Sequence, residues 1–224
     1  MGQRGPARRT FPPQPLTPAE VSALIGACSR RYPTGIRNRA MLWFAYRSGL
    51  RVSEFLALRP ADLDFTDHSA RVLHGKGNRA TVRYWHPSAD DALLRWLDER
   101  RRLGLSRPGT PVFCTLAGGP VRADYVRNML RRLAGRAGVE KRVHPHGFRH
   151  TYAVELRQAG TDIAVISKLL GHSSIAVTSR YLDHLTNDTA GKTLMATVLP
   201  SLDGNGSSRK PGPASQTSRI KEGP

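Results

Sequence analysis

Cysteine is scarce in this chain, with two in 224 residues. Cys28 and Cys114 lie far apart and form no C-x-x-C pair, so neither a disulfide framework nor a zinc ribbon is expected, and a reducing cytoplasm fits. Long apolar runs are missing too. The most apolar stretch, AMLWFAY at residues 40–46, is far too short to cross a bilayer. No charged-then-apolar leader opens the sequence, so a soluble, cytoplasmic protein with no membrane partner is expected. Acidic residues are outnumbered, 17 Asp plus Glu against 35 Lys plus Arg, for a formal charge of +18 spread from end to end. Each phosphate neutralised by such side chains releases counterions, so the excess points to a polyanion partner. An ordinary but highly charged surface is the plainer reading. The 39% apolar content is enough to bury a core in one sizeable domain or two small ones.

Residues 1–15, MGQRGPARRTFPPQP, are rich in Arg, Gly and Pro and read as a flexible basic arm or linker. The folded part begins at LTPAE, where Thr17 caps a helix, Pro18 fits its first position and Glu20 completes a capping box. A second helix runs from about Gly35 to Ser48, with Ile36, Ala40 and Phe44 at helical spacing and Gly49 as the stop. LRVSEFLALRP gives a short helix ended by Pro60. Residues 70–85, ARVLHGKGNRATVRYW, change to a shorter period around the turn GKGN, which predicts a β-hairpin with Lys76 at its tip. Helices resume in SADDALLRWLDERRRLG, with Ser88 as cap and Leu93 paired to Leu97. RADYVRNMLRRLAGRAG follows with an apolar stripe of Val126, Met129, Leu130 and Leu133. HPHGFRHTYAVELRQAG gives a helix ending near Gly160, TDIAVISKLLG one capped by Thr161, and SSIAVTSRYL a third. An amphipathic segment at about 185–198 precedes a disordered tail at 201–224. The fold class expected is mainly α with a small antiparallel β-sheet (α+β).

Four places carry basic or nucleophilic side chains that a helix or hairpin does not need: Arg51 in SGLRVSE, Lys76 in HGKGN, His146 with Arg149 in HPHGFRH, and His172 with Tyr181 in LLGHSSIAVTSRYL. Each has a bland reading. Arg51 can pair with Glu54, Lys76 can be an exposed turn residue, and Tyr181 can be a half-buried aromatic. His144, His146 and His150 lack acidic or cysteine companions at useful spacing, so a metal site is not expected.

Taken in order, SGLRVSE, GKGN, HGFRH, LGHSS and TSRYL resemble the catalytic domain of the tyrosine recombinases, the lambda-type integrase family, over about residues 16–198. The resemblance implies a catalytic domain at residues 16–200. Arg51 and Arg149 would be its arginine pair, Lys76 the hairpin lysine, His146 and His172 the two histidines, and Tyr181 the nucleophile. Glu54 matches an acidic position behind the arginines, and His150 a histidine flanking the site. Phe148 stands where Leu is commoner. The helical core-binding domain that usually comes before this region has no counterpart in the fifteen or so residues preceding it.

What is implied is a site-specific DNA recombinase that works through a 3′-phosphotyrosyl intermediate. Guanidinium forks suit the charge that builds on the non-bridging oxygens of an attacked phosphodiester, and His172 adds a donor. A phenol with a pKa of about 10 needs its proton removed or its phenolate favoured, for which His146 is the candidate. Lys76 would protonate the leaving oxygen. The partners implied are double-stranded DNA, a homotetramer on synapsed sites and accessory DNA-bending proteins; no cofactor or metal is called for. Two other readings stay open: a helix-turn-helix regulator built on TDIAVISKLLG and IAVTSRYL, and a type IB topoisomerase that nicks and reseals.

Overall fold

The computed structural model describes residues 14–73, 80–172, 174–179 and 182. These fall in the first of two units, Met1–Thr186. Among them, seven α-helices and three strands follow in chain order, with short 3-10 turns at Pro60–Asp62 and Pro87–Ala89: α1 (Pro18–Gly26), α2 (Pro33–Ser48), α3 (Val52–Ala57), β1 (Leu63–Asp64), β2 (Ser69–Leu73), β3 (Ala80–Tyr84), α4 (Asp90–Arg102), α5 (Ala123–Ala137), α6 (Pro145–Gln158) and α7 (Ile163–Leu170). Residues 175–179 are helical as well. The architecture is mainly helical with one small antiparallel sheet, as the periodicities predict. No helix among the described residues is long and apolar enough to cross a membrane.

Helix α2 is the axis. Ile36, Ala40, Met41, Leu42, Phe44, Ala45 and Tyr46 are all buried along it, because α1, α4 and α6 all pack against it. An apolar stripe wider than one face is what such a central helix requires. Phe44 meets Phe55, Phe113 and Trp85, and fully buried Trp96 of α4 donates its indole N–H to the Val112 carbonyl at 2.8 Å. The predicted stripe of α5 is buried as expected. Arg37 is buried too, donating to the Cys114 carbonyl at 3.0 Å and the Tyr125 hydroxyl at 2.6 Å, so this cation braces α2 against α5.

Local signals hold at α1, where Thr17 and Glu20 form the capping box and Glu20 also meets Lys141 at 2.9 Å. Two predicted caps fail. Ser88 does not cap α4, because Pro87–Ala89 first makes a 3-10 turn and the α-helix opens only at Asp90. Thr161 does not cap α7 either. Its N–H closes the preceding helix on the Leu156 carbonyl at 2.9 Å, and Asp162 caps instead by accepting from the Ala164 N–H at 2.7 Å.

The sheet has the order β1-β2-β3, antiparallel throughout. The hairpin is present, in register from Ser69↔Tyr84 to Leu73↔Ala80. Its predicted tip, Lys76, lies outside the described residues, as do the amphipathic segment at 185–198, most of the N-terminal arm and the tail. Strand β1 was not foreseen; two residues carry no period.

Candidate active site

The site is built on helix ends. Helix α2 stops at Gly49, whose φ of 61° is left-handed. A Cβ there would also strike the Tyr152 ring and lie 3.0 Å from Leu170. Only glycine meets both demands. The chain turns sharply and delivers Arg51 as the N-cap of α3, with its N–H held by Glu54 Oε2 at 2.8 Å and its guanidinium by Glu54 Oε1 at 2.8 Å. The bland reading of Arg51 is therefore correct as far as it goes. Its side chain nonetheless stays 45% exposed.

Helix α6 supplies the next two groups. His144 caps it by accepting the Gly147 N–H at 3.2 Å, so this histidine has a structural task. His146 follows one residue into the helix, its ring stacked on His144 with centroids 6.4 Å apart. Arg149, three residues further on, shares the face of His146. It is only 2% exposed. One terminal nitrogen donates to the Gly49 carbonyl at 2.6 Å and the other to the Leu170 carbonyl at 2.7 Å. Tyr46 and Arg47 of α2 both hold Glu155 of α6, the latter at 3.0 Å, and fix the two helices side by side.

Helix α7 ends at Leu170, and Gly171, with φ 66°, turns the chain to His172. His172 Nδ1 lies 2.8 Å from the hydroxyl of fully buried Thr178. Thr178 escaped the sequence reading; a threonine in a short polar helix gives no signal until its neighbours are known.

Four of the six predicted residues thus meet at one place. Burial drives the His172 pKa down to about 4, and Arg149, Arg51 and His146 push in the same direction. His146 is lowered by burial, then by Arg149, His144 and Arg51. Both imidazoles are neutral at pH 7, where one can accept a proton and the other can donate a single N–H. Lys76 and Tyr181 lie outside the described residues. His150 is buried on α6 beside this group.

The fold is a mainly helical domain with a three-stranded sheet, carrying two arginines and two histidines at one place, and comparison with known proteins places it. The chain belongs to the phage integrase family, whose sequence profile matches residues 14–188. It is similar to the tyrosine recombinase XerD of Chlorobaculum tepidum, 37% identical over 180 residues, which cover 79% of this chain and 59% of that protein. It is also similar to the tyrosine recombinase XerC of Bacillus licheniformis, 35% identical over 188 residues, covering 82% and 61%. The chain therefore spans less than two thirds of the length of these relatives. Among solved structures, XerA recombinase superposes with a TM-score of 0.71 at 28% identity, covering 84% of this chain and 66% of that one. XerH bound to its palindromic difH substrate gives 0.68 at 22% identity, covering 82% and 53%, a likeness of fold.

The depressed histidines predict a pH dependence. A folded pKa near 4 against an ordinary 6.5 means that the unfolded chain binds more protons between those values. Stability is then full above about pH 6.5 and is lost as pH falls toward 4. His172→Asn should flatten part of that slope in urea-denaturation midpoints measured across this range; an unchanged slope would show that His172 titrates normally.

Proposed function

We propose that this chain is the catalytic part of a site-specific DNA recombinase that cuts and rejoins strands through a 3′-phosphotyrosyl intermediate. The observation that carries the proposal is the convergence of Arg51, His146, Arg149 and His172, drawn from three separate stretches of chain, around one partly open, cationic spot. Family membership supports it, as do relatives named tyrosine recombinases and the DNA-bound state of XerH.

In this reading the phosphodiester sits against Arg51 and Arg149. Their planar forks meet the charge growing on its non-bridging oxygens, and the buried setting of Arg149 strengthens that attraction. The Glu54 carboxylate orients Arg51. His172, with Nδ1 engaged by Thr178 and the ring proton on Nε2, donates to the same oxygens. Tyr181 attacks phosphorus through its phenol oxygen, and neutral His146 accepts the phenol proton. Lys76 gives a proton to the departing 5′ oxygen. Phosphorus exchanges one P–O bond for another, so the phosphotyrosyl link conserves the energy of the diester. A 5′ hydroxyl from another strand can then reverse the step without ATP or a metal ion. We assign residues 16–200 to this catalytic domain, in a cytoplasmic protein that associates with the nucleoid when bound to DNA. By family likeness it would act as a tetramer on two synapsed sites, with DNA-bending proteins as possible accessories.

Tyr181→Phe should abolish an SDS-resistant adduct with nicked duplex DNA while salt-sensitive binding persists; an undiminished adduct would remove Tyr181 from its role. Arg149→Lys keeps the charge but loses the fork, and single-turnover cleavage should drop by on the order of 10² or more, with a much smaller loss in binding. Equal losses in both would make Arg149 a simple backbone contact. Sedimentation with paired target sites should show a four-protomer complex, and monomers alone would contradict the synaptic part of the proposal.

A further inference from the structure

Strand β3 is inside out. In TVRYW the apolar residues Val82 and Tyr84 face solvent, 52% and 50% exposed, alongside Leu73 of β2 at 57%. Thr81 and Arg83 point the other way, opposite Val72 and Ala70, which are both buried. Directly opposed residues of an antiparallel pair share a face. A register slipped by one residue would bury Val82 and Tyr84 and release the arginine to water. The hydrophobic effect favours that slip, yet the observed pairing keeps Arg83 inside.

No acidic partner explains it. Among the described residues no carboxylate forms an ion pair with Arg83; its Nη1 donates to the adjacent Val82 carbonyl at 3.2 Å, and its buried Nε has no hydrogen-bond partner. Burial holds its pKa below the ordinary arginine value; among its charged neighbours Glu54 opposes this shift and Arg51 adds to it, so both lie within electrostatic reach. The guanidinium lies on the backbone of Gly171. A Cβ at that position would fall 2.8 Å from Nε and closer still to Cζ and Nη2, so the residue preceding His172 has to be glycine for the arginine to fit. Arg83, Lys168, Gly171 and His172 line one open cavity of about 520 Å³ between β3 and α7. A half-buried guanidinium with an unmet buried donor, lining a cavity with His172 and within electrostatic reach of Arg51, is costly until an anion arrives.

We propose that Arg83 is a further phosphate-binding residue, reaching from β3 across Gly171 to a backbone phosphate of the DNA held beside His172. This rests on the recombinase reading and extends its cationic site to a residue outside the motif set. Since Arg83 lies on the strand that follows the Lys76 turn, the hairpin would contribute to substrate contact through its second strand as well as through Lys76.

Two measurements on the full chain test it, with Arg83→Gln and Arg83→Lys checked for an unchanged thermal transition. In binding to mixed-sequence duplex DNA, Arg83→Gln should reduce the slope of log K against log salt by about 0.9, the release expected for one phosphate. Arg83→Lys should restore the slope. In single-turnover cleavage of a nicked suicide duplex, Arg83→Gln should lose on the order of 10² if the contact is to the scissile phosphate. With a flanking phosphate only the binding arm responds, and either result supports the contact. An unchanged salt slope together with an unchanged rate overturns it, as does a slope that falls equally in Arg83→Lys. If Arg83→Gln alters the thermal transition, Arg83→Met, which keeps most of the aliphatic stem but no donor, is read in the same two assays under the same criteria. Absence of any adduct from the unaltered protein would instead count against the recombinase reading, while the binding arm would still report on Arg83.

Discussion

One buried cation holds the site together. The Arg149 guanidinium lies between the carbonyls of Gly49 and Leu170, at the C-terminal ends of α2 and α7. Helix C-termini carry partial negative charge and unsatisfied carbonyls, so two of them aimed at one guanidinium offset much of what burying it would cost. The same bonds set the spacing of the chain turns that follow. Arg51 comes two residues after Gly49, and His172 two residues after Leu170. The arginine we propose to meet the phosphate is thus also the bracket that positions its neighbours. Tyr46 and Arg47 on Glu155 reinforce this by holding α2 to α6.

The site is cationic by construction and incompletely neutralised by protein. Arg51 shares Glu54, while His146 and His172 answer their surroundings by giving up their protons. Discharged imidazoles lower the repulsion beside Arg51 and Arg149 and leave rings able to accept or donate a proton. Thr178 fixes one ring, and the His144 stack flanks the other. Arg83 belongs to the same electrostatic setting, half-buried within reach of Arg51 and with no carboxylate ion-paired to it among the described residues.

Not all of the basic excess faces a ligand. Arg37 and Arg100 are buried and spend donors on main-chain carbonyls, at 3.0 Å from Cys114 and 3.0 Å from Thr110. Arg102 is paired with Glu99 on the outer side of α4. A net charge read from composition therefore indicates the sign of the partner but overstates how many cations are offered to it.

The helices and hairpin, the α1 capping box and the stop at Gly49 were legible because each depends on neighbours in the chain: a periodic stripe, a side chain three residues from its cap, a glycine free to adopt positive φ. The set Arg51, Lys76, His146, Arg149, His172 and Tyr181 was named only through family resemblance, and the described residues bring together four of its members. Nothing local in the sequence announces that residues about a hundred positions apart meet. Caps at Ser88 and Thr161 were misread because each depended on how the preceding segment ended, and β1 was too short to carry a pattern. The sequence by itself determined which segments could be helix or strand and which side chains had chemistry to offer. Tertiary packing alone decided that Arg149 would bracket two helix ends, that Thr178 would reach His172 and that β3 would turn its arginine inward. Those outcomes depend on which surfaces meet, and a long-range contact leaves no periodic trace along the chain.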